Sequence, residues 1–366
     1  MEQLTLLEEI IDLARWAPSG DNTQPWRFEI LNEQHLRVHG FDTRKDCGYD
    51  FRGHPSQIAL GALLENLSLA AGKFNLETCF SLGPDSLDAH LVFDVIFSTR
   101  KSGVHPDYLY EHIRNRTVQR RPYHTAPLAD DQKSALSASL GQAHEVLWLE
   151  GLSQRLFMAK LNSLAGKLRL SIPEAYAVHR KVVKWKARFS DDKVPDESIG
   201  MDPLSLILMR WIMKSWSRVD FFNTYFGATI LPRIQLDFVP ALACAAHFVI
   251  LRKTPPDTPI DYVTSGRAVQ RLWLTATGLG LQLQPEMSAL IFRNYAVSGT
   301  SLSVKSGANE AALKIAQNFD QHLGGKDVAN CAIFLGRIGQ GASPWARSLR
   351  LTTQSLKYKQ GSWRDG

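Results

Sequence analysis

The sequence has few cysteines, and none of them are paired at a metal-binding spacing. Cys47, Cys79, Cys244 and Cys331 are the four cysteines among 366 residues, and they lie far apart. Because no C-x-x-C pair occurs, we expect neither a zinc site nor a disulfide framework, and no other metal site is indicated. Scattered cysteines are also typical of a reducing compartment, so we expect a cytoplasmic protein.

The sequence also lacks a hydrophobic run that could cross a bilayer. Its longest nearly uncharged stretch, 238–251, has 14 residues, whereas a spanning helix needs about 20. Residues 2–13 read EQLTLLEEIIDL, an acidic, amphipathic pattern that is not typical of a secretory signal. We therefore expect a soluble protein without stable membrane association.

Neither sign of charge dominates. The chain has 42 Lys and Arg against 36 Asp and Glu, a net charge of +6, and this mild excess does not favour a nucleic-acid partner. The 44% hydrophobic and 21% charged residues are ordinary for a globular protein and exclude a disordered or coiled-coil chain. The length allows two domains or one large intertwined unit.

Helical and strand patterns alternate without a sustained strand–helix–strand repeat, which predicts an α+β protein rather than a doubly wound one. The helical patterns cover 4–16, 56–76, 130–140 and 264–279, a short stretch after Pro106 and a helix-rich section, 153–226. The strand patterns cover 26–31, 35–40, 77–82, 90–97, 146–149, 243–251 and 331–336.

One internal repeat is visible. GALLENLSLAAGKFNL (61–76) aligns without a gap to GRAVQRLWLTATGLGL (266–281), and five of the sixteen positions are identical, including the first glycine of each. Two unrelated apolar helices could give the same agreement. Each copy is followed by strand material at a corresponding place in its half of the chain, which favours a duplication.

A polar segment, 14–30, predicts a ligand-binding loop between a helix and a strand. Its short polar side chains and closely spaced backbone donors suit a planar, hydrogen-bonding ligand. The candidate binding residues are Pro18, Ser19, Gly20, Asn22 and Gln24. A simple polar turn would have the same composition.

A second segment, 113–123, is dense in arginine. It contains Arg114, Arg116, Arg120 and Arg121, with Thr117 among them. Guanidinium groups bind phosphate through two parallel hydrogen bonds, and the threonine adds a hydroxyl. The alternative is a solvated basic loop.

Both segments resemble motifs of the nitroreductase family, whose members use FMN. Residues 17–26 reproduce its A-P-S-x-x-N-x-Q-P-W pattern as they stand. Arg116-Thr117, Arg120 and Tyr123 are similar to the family's R-R-S-x-R-x-F motif, which binds the FMN phosphate and ribityl chain. The spacing departs by about one residue, so Arg120 and Arg121 could exchange roles. The resemblance places one of these two cations where it would stabilise negative charge on the reduced flavin.

The order of the two motifs is the reverse of that in ordinary family members, where the arginine motif comes first and the motifs meet across a homodimer. The resemblance therefore implies a fused pseudo-dimer with one flavin site, in which two pseudo-symmetric, nitroreductase-like halves are intertwined as one unit. Each half would have an antiparallel or mixed sheet flanked by helices. We expect the halves at 1–110 and 111–366, with a helical lid at about 153–226, in a chain that is monomeric or assembles further.

Two other segments complete the implied site. In the family, the backbone at the place of 277–287 faces the flavin N5, which suggests Gln284, Pro285 and Glu286 here. Near the end of the chain, Arg347 and Arg350 stand where family members place basic residues on the FMN phosphate. A solvated basic tail remains the alternative for these two arginines.

The helical section 203–226 is aromatic and basic. The resemblance favours a lid over the flavin pocket, and a membrane-surface helix or ordinary packed helices are the alternatives.

The resemblance implies an FMN-dependent oxidoreductase that uses NAD(P)H to reduce a small organic acceptor, nitroaromatic or quinone-like, in ping-pong fashion. We expect no catalytic side chain, because the flavin does the chemistry. The lack of a G-x-G-x-x-G fingerprint fits a transiently bound nicotinamide. The alternatives are a protein that sequesters FMN and a specialised biosynthetic flavin oxidase or dehydrogenase.

Overall fold

The structure is a computed structural model that describes residues 5–101 and 105–359. It confirms a mixed α+β architecture built on two antiparallel sheets and helices. The helices are α1 (Leu6–Ala14), α2 (His54–Lys73), α3 (Asp130–Ser139), α4 (Gly151–Ser171), α5 (Pro173–Val182), α6 (Pro203–Ile212), α7 (Trp216–Phe226), α8 (Ile230–Arg233), α9 (Val239–Leu242), α10 (Pro259–Gly278), α11 (Ser288–Ser298), α12 (Ala308–His322) and α13 (Lys326–Asn330).

The strands are β1 (Trp26–Asn32), β2 (His35–Phe41), β3 (Leu76–Leu82), β4 (His90–Thr99), β5 (His144–Glu150), β6 (Val183–Lys184), β7 (Phe189–Ser190), β8 (Val194–Pro195), β9 (Ala246–Arg252), β10 (Gln282–Pro285), β11 (Ala332–Gly339) and β12 (Arg347–Ser348). One sheet has the order β1-β2-β4-β3 and the other the order β10-β11-β9-β5. Two-residue strands form the short pairs β6-β8 and β7-β12.

The two large sheets have the same topology around a central helix. In each sheet two strands precede the helix and two follow it, and the spatial order is first, second, fourth, third. The helix is α2 for the first sheet and α10 for the second. All neighbouring strands in both sheets are antiparallel.

The two central helices pack against each other through glycine. A Cβ atom on Gly61 would lie 1.9 Å from the carbonyl oxygen of Val263, and one on Gly266 would lie 2.0 Å from that of Ile58. These two contacts exchange under the alignment of the internal repeat, because Ile58 and Val263 each precede the shared glycine by three residues. The repeated glycine is thus explained by the close approach of two backbones.

Polar pairs extend this helix contact in the same reciprocal way. Arg271 Nη1 donates to Glu65 Oε1 at 2.7 Å, and Gln270 Nε2 donates to Asn66 Oδ1 at 2.7 Å. The repeat alignment matches Glu65 with Gln270 and Asn66 with Arg271. One pair is ionic and the other is an amide pair, so a shift of register between the two helices would break both pairs and leave their buried groups without partners.

The hydrophobic core divides around these elements. One part fills the space between α1, α2 and the first sheet, and another lies between α10 and one face of the second sheet. The opposite face of the second sheet is covered by α4, α11 and α12. The second sheet is therefore buried on both faces, which explains why β9 and β11 read as nearly continuous apolar runs.

The first and second sheets differ in one connection. A tight turn joins β1 to β2, whereas residues 151–245 separate β5 from β9. This helical insertion contains α4 to α9 and the short strands β6 to β8. It corresponds to the helix-rich section of the sequence and continues beyond residue 226.

Most sequence-predicted elements are present, with some corrections. The helix expected after Pro106 is wrong, because Tyr108–His112 forms only a short 3₁₀ segment that Asp107 caps. The patterns also missed α11 and α12, and the 277–287 loop contains β10. The last part of the expected second half, 360–366, lies outside the described residues, as does Leu4 of the expected first helix. No helix of the described ranges is long and apolar enough to cross a membrane.

Replacement of Gly266 by alanine tests the helix contact. The added Cβ would meet backbone atoms that cannot rotate away. We expect Gly266→Ala to lower the free energy of unfolding by about 2 kcal/mol or more, although alanine favours a helix by about 1 kcal/mol over glycine. Urea unfolding measures the change.

Gly48→Ala is the matched control, because a Cβ atom at Gly48 meets nothing within 4 Å. It should change the free energy of unfolding by less than about 0.5 kcal/mol. Equal stability of both variants would show that α2 and α10 do not depend on the glycine contact.

Candidate functional site

A large cavity lies beside the α2–α10 pair. Its volume is about 850 Å³, within the range of small-molecule and cofactor sites. The central helices contribute Ile58, Ala62, Val269 and Trp273 to its wall, and the helical insertion forms another side. Eleven of the sequence-predicted residues line it: Pro18, Ser19, Gly20, Asn22, Arg116, Thr117, Arg120, Gln284, Pro285, Arg347 and Arg350.

Three of these arginines form a cationic cluster. Arg116 lies 4.5 Å from the ring centre of Trp273 and Arg347 lies 5.1 Å from that of Trp16. Arg350 Nε donates to the carbonyl of Ala17 at 2.9 Å. Among the described residues, no carboxylate forms an ion pair with any of the three, and the Nε atoms of Arg116 and Arg347 are buried without a hydrogen-bond partner.

The cluster is electrostatically unfavourable by itself. Burial and the neighbouring Arg350 and Arg347 hold the pKa of Arg116 well below its usual range. Burial, with repulsion from Arg347, lowers the pKa of Arg350 to about 9, and burial also lowers that of Arg347. Buried positive charges without a counter-ion, with free N–H donors, are the chemistry of an anion site.

The polar segment before β1 reaches the cavity through its first part only. Pro18, Ser19 and Gly20 line the cavity, whereas Gln24 is fully buried outside it. Gln24 Nε2 donates to the Asp191 carbonyl at 2.7 Å, and its Oε1 accepts from the backbone of Leu351 at 2.9 Å. The side chain of Gln24 therefore joins three chain segments and does not face a ligand.

Asn22 has a similar joining role at the cavity wall. Its Nδ2 donates to the Asp191 and Lys193 carbonyls, and its Oδ1 accepts from Arg350 Nη1 at 2.9 Å. Asn22 thus positions Arg350. It links the helical insertion to the end of the chain.

Only some residues of the arginine segment, 113–123, line the cavity. Arg116, Thr117 and Arg120 line the cavity. Arg114 lies outside it, exposed and paired with Asp12. Arg121 also lies outside the lining, 5.4 Å from the ring of Trp345. Of the two arginines whose roles could be exchanged, Arg120 is the one that the fold brings to the cavity.

Of the three residues at β10 that were expected to face the ligand, two line the cavity. Gln284 and Pro285 line the cavity, whereas the Glu286 side chain points away to His247, with Oε2 2.7 Å from His247 Nδ1. Glu286 thus belongs to a buried ion pair behind the cavity wall. His247 Nε2 donates to the Ala241 carbonyl at 2.9 Å, which satisfies both nitrogens of the protonated ring.

Arg337 is a positioning residue that the sequence patterns did not indicate. Its Nε and Nη2 donate to Gln284 Oε1 at 3.0 and 2.7 Å, and Nη2 also donates to the carbonyls of Arg120 and Arg121. This fully buried side chain therefore fixes the Gln284 amide and the arginine segment together. A lone charge inside the apolar β11 was the signal that could have identified it.

The cavity has further polar groups that were also missed. Tyr49 and His179 line it, with the Tyr49 hydroxyl 3.3 Å from His179 Nε2. Burial lowers the pKa of His179 to about 3, so its ring is neutral near pH 7. Asp21 lies at the wall with Arg120 and Arg169 nearby, and burial raises its pKa despite these cations.

Metal ligands are not part of this arrangement. Across residues 5–101 and 105–359, His, Cys, Asp and Glu side chains form no cluster that could hold a metal ion. The site consists of arginines, amides and an apolar wall, together with the side chains of Asp21, Tyr49 and His179.

The comparisons with known proteins agree with the motif that lies at this cavity. Residues 3–55 match the family model described as the Nitroreductase family. This match covers the A-P-S segment and supports the resemblance to the nitroreductase family that the motif indicated.

One solved structure in the comparison is the crystal structure of the nitroreductase-like family protein from Bacillus cereus. It is 11% identical with a TM-score of 0.34, and the alignment covers 71% of this chain and 100% of that one. No curated protein sequence matches this chain.

The ion pair behind the cavity predicts a pH dependence of stability. Although burial opposes protonation, the Glu286 carboxylate raises the pKa of His247 to about 10. A raised folded-state pKa stabilises the fold fully below the unfolded value of about 6.5, and this stabilisation is lost as the pH rises towards the folded value. We expect the free energy of unfolding to fall between about pH 7 and pH 10.

Glu286→Gln should lack the part of this fall that His247 causes. Urea unfolding across the pH series should give a slope smaller by up to about 1.4 kcal/mol per pH unit in the variant. Glu310→Gln, which removes an exposed carboxylate from α12, should keep the parent slope. Identical slopes for Glu286→Gln and the parent protein would contradict the assignment.

Proposed function

We propose that the protein is an FMN-dependent oxidoreductase that uses NAD(P)H to reduce a small organic acceptor of the nitroaromatic or quinone type. The observation that carries the proposal is the cluster of Arg116, Arg347 and Arg350. Arg116 and Arg350 are buried and Arg347 is half-buried beside the A-P-S segment, without a carboxylate partner among the described residues and with an unpartnered Nε donor on Arg116 and Arg347.

FMN fits the residues that are present. Its phosphate would supply the counter-ion that the cationic cluster lacks. A guanidinium group can bind a phosphate through two parallel hydrogen bonds. The apolar wall from Ile58, Ala62 and Trp273 suits the flat ring system, and the cavity is large enough for a cofactor and a second small molecule. When bound, FMN supplies hydride transfer between nicotinamide and acceptor.

Gln284 is the residue through which the chain would orient the ring. Because Arg337 donates twice to its Oε1, the amide cannot rotate without losing both hydrogen bonds. Its Nε2 has no partner among the described residues and is left to donate to an acceptor atom of the ligand. Such a fixed donor at the cavity wall matches the edge of a flavin, which carries several acceptor atoms.

Arg120 supplies charge at another part of the wall. Burial lowers its pKa, although Asp21 opposes this shift. We assign it the stabilisation of negative charge on the ring, because it lies in the cavity while Arg121 does not. No side chain is assigned as acid or base in this proposal.

We also propose that the chain is a fused pseudo-dimer with halves at 1–110 and 111–366. The shared sheet topology and the reciprocal contacts of Gly61 and Gly266 support it. The A-P-S segment comes from one half and the arginines from the other, so a single chain would form one complete site as a monomer. NAD(P)H would bind only transiently.

Arg116→Ala tests the phosphate assignment. We expect the affinity for FMN to fall by at least about 1.5 kcal/mol, roughly tenfold, since a charged hydrogen bond is lost. Riboflavin, which has no phosphate, should bind the variant and the parent protein alike. Titration by quenching of flavin fluorescence measures both affinities.

Arg114→Ala is the matched control, because it removes an arginine two residues away that lies outside the cavity. It should leave both affinities unchanged. An unchanged FMN affinity in Arg116→Ala, or an equal loss of riboflavin, would show that Arg116 does not bind the phosphate.

Reduction of the bound flavin separates the enzyme from a storage protein. We expect anaerobic mixing of the FMN-loaded protein with NADH or NADPH to bleach the flavin absorbance within seconds, because catalysis needs a nicotinamide to reach the ring. Stopped-flow absorbance follows the reaction. No bleaching over minutes with either nucleotide would favour the sequestering alternative instead.

A further inference from the structure

Exposed apolar side chains are concentrated on the helical insertion. Of the twenty-seven large apolar side chains that are exposed in the described ranges, eleven lie between Leu204 and Val239. Scattered single exposures are ordinary on a protein surface, whereas a concentration of this kind marks an interaction site.

The helix α6 shows the arrangement most clearly. Leu204, Ile207, Leu208 and Trp211 are 78%, 56%, 49% and 44% exposed. Their spacing of three and four residues places them on one side of the helix. The other side, with Ser205, Met209 and Ile212, lines the cavity. The apolar stripe that faces solvent is therefore additional to the one that the fold buries.

Neighbouring segments continue this surface. Tyr225 and Phe226 at the end of α7 are 71% and 67% exposed, and Ile230 at the start of α8 is 56% exposed. We call this surface, together with the α6 stripe, the outer face. Its aromatic residues are of the kinds that favour the interface between water and lipid.

Positive charge predominates on the outer face. Arg210, Lys214 and Arg218 take part in no ion pair with the described residues. Of the nearby carboxylates, Asp220 pairs with Lys305 and Asp237 pairs with Arg169. Asp202, which caps α6, is exposed and has no cation partner among the described residues. The apolar side chains are thus accompanied by three cations and one carboxylate outside ion pairs, which leaves an excess of positive charge.

We propose that the outer face docks reversibly on an anionic lipid surface. Apolar and aromatic side chains would enter the headgroup region, while the three cations meet lipid phosphates. A second copy of the chain fits less well. A two-fold interface brings a patch against itself, and the cations of one copy would then face those of the other.

The outer face is continuous with the mouth of the cavity. Leu208, Phe226 and Ile230 are exposed and also line the cavity. Docking would therefore hold the mouth at the lipid surface, where apolar molecules dissolve. In the terms of the proposed function, on which this step rests, the acceptor would be an apolar molecule of the quinone class. The docking itself does not depend on flavin.

Vesicle flotation with the full chain tests the docking. We expect the protein to float with vesicles of phosphatidylglycerol and phosphatidylcholine and to remain below with phosphatidylcholine alone. The variant Leu204→Gln/Lys214→Glu should partition at least about tenfold more weakly, since it removes one apolar contact and reverses one charge. Thermal melting confirms that each variant is folded.

Leu313→Gln/Lys314→Glu is the matched control, because it changes one exposed leucine and one exposed lysine of α12 in the same way. It should partition like the parent protein. Equal partitioning of both variants, or no flotation of the parent protein, would overturn the proposal. So would a concentration-dependent dimer in sedimentation that the Leu204 variant abolishes, since a second copy would then cover the face. FMN titration in parallel separates these results from failure of the proposed function.

Discussion

The close contact between α2 and α10 is the constraint on which the rest of the structure depends. Each central helix carries one sheet, so their separation sets the distance between the sheets and the width of the cavity beside them. Gly61 and Gly266 permit backbones to touch where any side chain would force the helices apart. The ion pair of Glu65 with Arg271 and the amide pair of Gln270 with Asn66 then fix the register. Ile58, Ala62, Val269 and Trp273 come to the cavity wall as a consequence.

The cavity concentrates charge that the fold alone does not neutralise. Burial of Arg116 and Arg350, and partial burial of Arg347, costs free energy in the absence of an anion, and the lowered pKa of each expresses that cost. The aromatic rings of Trp16 and Trp273 offset part of it by stacking. Residues that violate the rules of stable packing are typical of functional sites, because the missing interaction is then supplied by the ligand.

The sequence predicted those helices, strands and motif segments that depend on local patterns of residues. The hairpin of β1 and β2, the helix α2 and the strand β11 follow from periodicity and turn residues, and the family motif located the segments that meet at the cavity. Gln24 and Glu286 show what it could not predict. Both were expected at the ligand, yet Gln24 joins segments that lie far apart in the chain and Glu286 pairs with His247. The positioning role of Arg337 was not predicted for the same reason, because its hydrogen-bond partners come together only in the folded chain.

The two sheets share a topology, but the structure around them is asymmetric because one connection differs. In the first sheet a tight turn joins β1 to β2. In the second sheet residues 151–245 join the corresponding strands, β5 and β9. The insertion supplies Arg169, Tyr176 and His179 to the cavity, and its backbone carbonyls at 191 and 193 hold the side chains of Asn22 and Gln24. A single insertion thus completes the wall of the cavity and positions Asn22 and Gln24 of the A-P-S segment. Its outward stripe of apolar residues has no role in that packing, and the proposed lipid docking gives this exposure a function.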